Sequence, residues 1–306
     1  MRTLIRTGSS GKISHTRGEQ ALRRCSRFGS LAAPQILHRD NHLLVVNKPA
    51  GWHTVPNLDN DEKCLLSYLK NQGFGGGSRN DFLLPVHRLD QPCTGVVAFA
   101  KTSKAASRIQ SKWNSVRKSY LCVLDTDRRR YERLRKRSKV LARNDEFELD
   151  GLMRRRVQRR TPSESSGGWS VEMESTDGLQ PWEIRSRLRS SSWRHCSLQW
   201  RLLSANEPYF AVEVQTNQGA RHMIRALMSQ CGACPIAGDL RYQAKEALPD
   251  RSIALHAHTL EFPSAHIRLG SDMERSYRAP IPSIWYDTFG LTDEMVSGLA
   301  SFHRVG

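Results

Sequence analysis

The sequence is short of acidic residues and of long apolar runs. Its 306 residues hold 30 Asp and Glu against 47 Lys and Arg, which gives a formal net charge of +17. No apolar run approaches the roughly 20 residues that a membrane-spanning helix needs, so a membrane span is disfavoured. The basic excess favours a polyanionic partner, because Lys and Arg gain affinity by displacing counterions from phosphates. A basic tail on a neutral body is the alternative explanation of the charge.

The cysteines are mostly scattered along the chain. The seven cysteines are odd in number, which argues against a disulfide framework and fits a reducing compartment. Cys231 and Cys234 form one C-x-x-C pair, and His256 and His258 could complete a zinc site. A second C-x-x-C pair at normal spacing is missing, so a zinc site is the less favoured interpretation.

Residues 1–30 have the composition of a targeting segment rather than of a folded one. They contain several Ser and Thr, seven basic residues and a single acid, Glu19. Arg-rich, Ser-rich and acid-poor segments are typical of mitochondrial and plastid transit peptides, and the absence of a long apolar stretch disfavours a secretory signal. The alternative is a flexible basic arm that touches RNA.

The rest of the chain, residues 31–306, is predicted to form one domain with an α+β fold. Short strands alternate with helices and hairpin turns, which predicts a mixed, largely antiparallel β-sheet body with flanking helices. Strands are predicted within 36–49 and at 95–100, 120–124, 196–203, 210–214 and 253–262. Helices are predicted at 64–69, after Thr102, at 221–231 and over most of 284–302.

A basic insertion at about residues 125–190 interrupts this pattern. Between Arg128 and Arg160 there are fourteen Lys or Arg against five acids. A charge block of this kind is usually solvated and mobile when free, and it can become ordered on phosphates. Apolar alternation resumes after it, so it is interpreted as an insertion within the domain.

Asp90 lies directly before a predicted turn, with Arg88 beside it and a buried strand after it. Residue types alone favour a structural role, in which Asp90 caps the turn and pairs with Arg88. The surrounding sequence changes that balance. Segment 87–95, H-R-L-D-Q-P-C-T-G, resembles the H-R-L-D-x-x-T-S-G motif of the RluA-type pseudouridine synthases.

Five further segments match that family in its order. They are H-R-D-N-H-L-L-V-V-N-K-P-A-G at 38–51, K-S-Y-L at 118–121, G-A-R-H-M-I-R at 219–225, P-I-A-G-D-L-R-Y at 235–242 and L-H-A at 255–257. The six matches are spread over residues 38–262, so the resemblance extends over about three quarters of the chain. The resemblance implies the pseudouridine synthase fold, an isomerase activity on RNA and no small-molecule cofactor.

The resemblance also implies roles for particular residues. Asp90 would be the catalytic carboxylate, either as a nucleophile at C1′ or as the base that drives glycal formation. Arg225 would keep that carboxylate ionised, and Tyr120 would stack on the uracil and take part in removing the C5 proton. The other substrate-binding positions that it implies are Arg88, His222 and Leu255.

Two departures from the family pattern leave a second hypothesis open. Segment 219–225 loses the first Arg and the Gln of the G-R-T-H-Q-I-R motif, although it keeps His222 and Arg225. The leading hypothesis is an active synthase on ribosomal or transfer RNA in the mitochondrial matrix, with the plastid as the alternative compartment. The second is a synthase-like scaffold with little activity, which binds ribosomal RNA in a mitochondrial ribosome assembly particle.

Overall fold

The computed structural model describes residues 31–56, 63–75, 81–141, 146–157, 169–190, 192–262, 275–297 and 299. The predicted targeting segment, residues 1–30, lies outside the described residues, as does part of the glycine-rich run at 73–77. No helix within the described ranges is long and apolar enough to cross a membrane.

One large sheet organises the described chain. Its twelve strands are β1 (Gln35–Arg39), β2 (Leu43–Lys48), β3 (Leu84–Pro85), β4 (Thr94–Ala100), β5 (Arg117–Asp125), β6 (Lys139–Val140), β7 (Glu146–Val157), β8 (Trp169–Ser175), β9 (Trp193–Asn206), β10 (Tyr209–Gln215), β11 (Leu255–Phe262) and β12 (Arg275–Arg278). The helices are α1 (Leu65–Asn71), α2 (Ser103–Ser111), α3 (Arg128–Arg137), α4 (Pro181–Arg189), α5 (Met223–Ala226), α6 (Ile284–Phe289) and α7 (Asp293–Ser297).

The strand order along the sheet is β1-β2-β4-β11-β5-β10-β9-β7-β6, and β3, β8 and β12 pair with β4, β7 and β11. Among these named strands, β4 and β11 run parallel and the other pairs are antiparallel. The prediction of a mixed, largely antiparallel α+β body is therefore confirmed. The predicted hairpin at 196–214 is present as β9 and β10, which pair directly.

Much of the predicted basic insertion is folded. Strand β5 pairs with β10 in the centre of the sheet, and the chain between them adds β7 and β9 to the same sheet beyond β10. Buried apolar side chains explain why this segment folds despite its charge: Tyr131 and Leu134 on α3, and Leu149 and Leu152 on β7. The expectation of a mobile charge block is wrong for the described part of this segment, because an average over charge overlooks those buried positions.

Two hydrophobic clusters cover the sheet. The larger one contains Leu89 and Cys93 near the H-R-L-D motif, Met223 and Ile224 of α5, and Leu134 of α3. The smaller one contains Ala105, Ala106 and Ile109, which form the apolar face of α2, together with β2 and β4 side chains. The H-R-L-D segment, α5 and α3 thus share one cluster, and α2 packs into the other.

The helix predicted at 221–231 begins later than expected. Residue His222 has a left-handed backbone conformation with φ 60°, and α5 starts after it at Met223. The helix then continues as a π-helical turn over Leu227–Cys231. A left-handed backbone conformation is uncommon at a residue other than glycine, and it stores strain. Patterns of residue type do not reveal such a conformation.

Candidate active site

Asp90 sits in a turn that several hydrogen bonds fix before β4 begins. The Thr54 hydroxyl donates to the Leu89 carbonyl at 2.9 Å and accepts from the Leu89 amide at 3.1 Å. The Cys93 amide donates to the Asp90 carbonyl at 3.1 Å and closes the turn. The side chain of Asp90 is 14% exposed, so its carboxylate is sheltered but reachable.

Arg225 connects that carboxylate to a second, deeper one. Its Nη1 donates to Asp90 Oδ2 at 3.0 Å, while Nε and Nη2 donate to the two oxygens of Asp239 at 2.7 and 2.8 Å. Although burial disfavours the charged form, the Asp239 hydrogen bonds and charge raise the pKa of Arg225 above its ordinary value. A charged guanidinium therefore faces the Asp90 carboxylate and donates a hydrogen bond to it.

His222 approaches Asp90 from the strained position before α5. Its Nε2 lies 3.5 Å from Asp90 Oδ2, and its Nδ1 lies 3.1 Å from the Tyr242 hydroxyl. Burial lowers the pKa of His222 to about 3, with the Asp90 charge opposing the shift. A neutral ring can accept from Tyr242 at Nδ1 and direct its Nε2–H towards Asp90, which is the tautomer that fits both neighbours.

Tyr120 lies in the middle of β5, opposite Val214 on β10 and Ala257 on β11. Burial, followed by the charges of Cys93 and Asp90, raises the pKa of Tyr120, so its phenol stays protonated at neutral pH. Leu255 is buried and lines the same cleft as Tyr120. An aromatic face and an aliphatic side chain therefore border the space in front of Asp90.

The side chains around Asp90 line one cleft that is open to solvent. Arg88 and Arg221 lie exposed at its mouth. Burial and the positive charge of Arg88 lower the pKa of Arg221, which indicates that the two guanidinium groups are neighbours. All six site residues predicted from the sequence line this cleft: Arg88, Asp90, Tyr120, His222, Arg225 and Leu255.

Two residues of segment 235–242 were not predicted as site residues. Asp239 is 1% exposed and binds Arg225, and the Tyr242 ring lies 5.1 Å from the Arg225 guanidinium carbon. The only sequence signal for them was their presence in the P-I-A-G-D-L-R-Y match. Pairing of that segment with segment 219–225 exists only in three dimensions.

Lys48 is a further positioning residue that the predictions omitted. Its ammonium is fully buried and donates to three carbonyls, those of Pro49 at 3.1 Å, Trp52 at 3.0 Å and Gln91 at 3.2 Å. Burial lowers the pKa of Lys48 to about 8, against the opposing charges of Cys93 and Asp90. This lysine ties the N-K-P-A-G turn to the residue that follows Asp90.

The motifs at the starts of β4 and β11 are in direct contact. Thr94 Oγ1 lies 2.8 Å from His256 Nδ1, and Gly95 stands opposite Ala257 in the parallel pair. Gly95 has φ 115°, and a β-carbon there would lie 2.2 Å from the Ala257 carbonyl oxygen. Only glycine fits this close approach, which sets the start of β4 against Ala257 of β11, and Ala257 in turn lies opposite Tyr120 of β5.

Lys118 holds the loop that leads to His222. Its Nζ donates to the carbonyls of Asn217 at 2.8 Å and Gln218 at 3.1 Å, and it lies 4.7 Å from the centre of the Trp113 ring. Burial lowers the pKa of Lys118 to about 8. The lysine of the K-S-Y-L match therefore supports a wall of the cleft, while Tyr120 of the same match faces into it.

The residues of the disfavoured zinc interpretation make other contacts. Cys234 Sγ lies 3.3 Å from the Thr126 hydroxyl, and His256 and His258 both bind the carbonyl of Ala279. Within the described ranges, no group of three or more His, Cys, Asp or Glu side chains could hold a metal ion.

Comparison with known proteins identifies the class that this fold and cleft define. The RNA pseudouridylate synthase family profile matches residues 42–230. Human RNA pseudouridylate synthase domain containing 4 has the same fold, with a TM-score of 0.57 at 18% identity, over 90% of this chain and 97% of that one. The chain belongs to the RNA pseudouridylate synthase family, in its RluA-type branch, and is an isomerase that acts on RNA.

Its relatives include synthases named for the ribosomal large subunit and for tRNA. The ribosomal large subunit pseudouridine synthase D of Xanthomonas campestris is 26% identical over 82% of this chain and 68% of its own length. The synthase D of Zymomonas mobilis is 33% identical, but the match spans 30% of each chain. The mitochondrial pseudouridylate synthase RPUSD4 of Xenopus tropicalis is 24% identical over 74% of this chain and 71% of its own length.

Proposed function

We propose that this chain converts uridine to pseudouridine in mitochondrial ribosomal or transfer RNA, with Asp90 as the catalytic carboxylate. The observation that carries the proposal is the Asp90–Arg225 contact of 3.0 Å at the cleft, with Arg225 held in turn by Asp239. A carboxylate reacts as a nucleophile or base only when it is ionised, and Asp90 has a cationic partner within hydrogen-bonding distance.

The reaction breaks the N1–C1′ bond of uridine, turns the base and rejoins it to C1′ through C5. Asp90 attacks C1′ or removes a proton from the sugar to give a glycal, and both routes begin with an ionised Asp90. The C5 proton must then leave so that the ring regains its aromaticity. Atoms balance without an oxidant or a cofactor, because the product is an isomer of the substrate.

Tyr120 and Leu255 are assigned to the base. The Tyr120 ring offers a face on which the uracil stacks. Its hydroxyl stays protonated, so it takes up the C5 proton only as it passes its own proton on, and Asp90, a carboxylate again once C1′ is bonded to C5, is the assigned acceptor. Leu255 would pack against the other part of the base and exclude water. His222 is assigned to orienting Asp90, since its neutral ring approaches Oδ2 at 3.5 Å.

The target uridine must leave its stack before it can enter the cleft, at a cost of a few kcal/mol. Loops and single-stranded segments are therefore the favoured substrates. Arg88 and Arg221 lie where the nucleotide backbone would pass, and their charge would bind phosphates on either side of the flipped base.

A mitochondrial location rests on two observations. Residues 1–30 have the composition of a transit peptide, and one relative is a mitochondrial synthase. Fluorescence microscopy of a fusion protein, with and without residues 1–30, tests this assignment. Matrix import that requires those residues supports it, plastid import favours the alternative, and a fusion protein that stays outside both organelles contradicts both.

A second candidate function is a scaffold that binds ribosomal RNA during mitochondrial ribosome assembly. The observation in its favour is the altered segment 219–225, where Ala220 and Met223 replace the Arg and Gln of the family motif. Both functions can coexist, because RNA binding does not require turnover.

Replacement of the protein in cells by its Asp90→Asn form distinguishes the two. Asn keeps the size of the side chain but cannot act as a carboxylate. Pseudouridine mapping across mitochondrial RNA should then show the loss of one or a few sites at unchanged protein level. An unchanged map, together with ribosome assembly that fails only when the whole protein is absent, would contradict catalysis and favour the scaffold.

A further inference from the structure

Helix α3 concentrates positive charge at a place the catalytic cleft does not use. Seven of its ten residues are basic and one, Glu132, is acidic. Six of the basic side chains are exposed: Arg128, Arg129, Arg133, Arg135, Lys136 and Arg137. Such a helix is a surface feature that demands an explanation beyond solubility, because like charges at helical spacing repel one another.

The helical repeat sorts these charges into separate stripes. At 100° per residue, Arg129, Arg133 and Lys136 fall on one stripe, opposite the buried Tyr131 and Leu134. The three cations on this stripe, here called the α3 stripe, span about 10 Å along the helix axis. They project to solvent together, which is the arrangement that follows a nucleic-acid backbone.

Acidic residues neutralise the basic side chains on one side of α3 but not those of the α3 stripe. Glu132 pairs with Arg128 and Arg135, each at 3.3 Å. Elsewhere in the insertion, Arg154 pairs with Glu172 and Arg187 with Glu174. No carboxylate in the described part of the chain lies within ion-pair distance of Arg129, Arg133 or Lys136.

The helix is built to hold its shape without a ligand. Asp127 Oδ1 caps its start by accepting from the Arg130 amide at 2.8 Å. At its end, the Ser138 hydroxyl donates to the Leu134 carbonyl at 2.8 Å and accepts from the Trp200 indole at 3.0 Å. A preformed cationic surface binds a polyanion without the entropic cost of ordering a loop.

Helix α3 also lies on the same side of the sheet as the catalytic cleft. Arg137 Nη1 donates to the Cys231 carbonyl at 2.9 Å, at the end of the helical segment that contains Arg225. Arg225 and Cys231 are six residues apart, or about 9 Å along a helix axis. An RNA whose target base lies at Asp90 can therefore reach α3 with its neighbouring backbone.

We propose that the α3 stripe is a second RNA-binding surface, which binds phosphates of the RNA backbone away from the flipped nucleotide. The assignment rests on the proposed function for its partner, RNA, but not on the identity of the catalytic residue. It implies that the cleft selects the uridine while α3 supplies affinity that does not depend on sequence.

The test compares two triple variants that carry the same change of charge. The first is Arg129→Glu, Arg133→Glu and Lys136→Glu. The control is Lys104→Glu, Arg108→Glu and Lys112→Glu on and directly after α2, which packs into the other hydrophobic cluster. Both are made in the full chain carrying Asp90→Asn, so that binding is measured without turnover. The probe is a fluorescein-labelled RNA stem–loop with uridines in its loop, titrated at several KCl concentrations.

The α3 triple variant should bind the probe about tenfold or more weakly, and the slope of log K against log salt should shrink by about 2, as expected when three phosphate contacts are lost. The control should keep the parental affinity and slope. Equal losses in both variants, or no loss in the α3 variant, would overturn the proposal. An all-lysine version (Arg129→Lys, Arg133→Lys) should retain binding, and unchanged thermal unfolding would exclude misfolding as the cause.

These measurements distinguish a failure of the RNA-binding proposal from a failure of the catalytic proposal. If the chain with Asp90 intact forms no pseudouridine in any RNA but the α3 variant still loses affinity, the catalytic proposal is wrong and the surface is right. If the α3 triple variant made with Asp90 intact forms pseudouridine at the parental rate at low RNA concentration, the surface assignment is wrong and the catalytic one is unaffected.

Discussion

The Arg225 guanidinium binds the Asp239 carboxylate through two parallel hydrogen bonds of 2.7 and 2.8 Å, and both side chains are almost completely buried. This pair fixes the guanidinium in one orientation, which leaves Nη1 to meet Asp90 at 3.0 Å. Bidentate binding is both stronger and more directional than a single charge contact. Asp239 thus acts as a positioning residue for the carboxylate assigned to catalysis.

Asp239→Ala should destabilise the protein by about 3–5 kcal/mol, because it leaves a buried guanidinium without its main partner. Urea unfolding measures that loss. The matched control is Glu174→Ala, which breaks the half-exposed pair with Arg187 and should cost about 1 kcal/mol or less. Equal effects for the two variants would contradict the role given to Asp239.

Gly95→Ala should be among the most damaging single-methyl changes in the chain. The added carbon would meet the Ala257 carbonyl oxygen at 2.2 Å, and φ 115° is unfavourable for any side chain. Gly73→Ala separates the two effects, because Gly73 has φ 75° but open space around its β-carbon site. We expect a loss of about 1–2 kcal/mol for Gly73→Ala from backbone strain alone.

For Gly95→Ala we expect a larger loss, since an overpacking cost of about 1–3 kcal/mol adds to that strain. Chemical denaturation of both variants gives the comparison. If Gly95→Ala were no worse than Gly73→Ala, the close approach of β4 and β11 would not be a constraint.

The protein should lose stability as the pH falls below about 6.5. Burial lowers the pKa of His256 from 6.5 to about 3, so between these values the unfolded chain takes up a proton that the folded chain does not. The free energy of unfolding therefore rises with pH across this window, by up to about 1.4 kcal/mol per pH unit for one histidine. Burial also lowers the pKa of His87 and of His222 to about 3 and the pKa of His258 to about 4, so these histidines act in the same direction.

His256→Gln tests this contribution. Denaturation at a series of pH values between about 7 and 5 should give a slope smaller than the parental slope, by an amount that approaches one proton near pH 5. A slope that does not change would mean that His256 is protonated in the folded state.

Tyr120→Phe should reduce turnover by about 10²-fold or more while leaving KM almost unchanged, because the ring is kept and the hydroxyl is lost. Tyr120→Leu should in addition raise KM, since it removes the stacking face. Single-turnover assays on an RNA stem–loop separate binding from chemistry. A parental rate in Tyr120→Phe would show that the hydroxyl takes no part in proton transfer.

Much of the site could be predicted because its residues stand in short, contiguous motifs. The H-R-L-D segment supplied Asp90 and Arg88, and segment 219–225 supplied His222 and Arg225. Asp239 and Lys48 also lie in recognised motifs, but their importance comes from partners far along the chain. Arg225 meets Asp90 across 135 residues of sequence, and periodicity carries no information on such pairings.

The family, the α+β class and six of the residues that line the cleft follow from the order of amino acids alone, because local patterns and contiguous motifs encode these. Tertiary structure decided the rest. It folded much of a charge block that composition marked as mobile, since a few buried apolar residues outweighed its average polarity. It placed His222 in a strained conformation, and it set α3 beside the helix that carries Arg225. Each of these depends on contacts between distant segments, whose free energy appears only when the chain is packed.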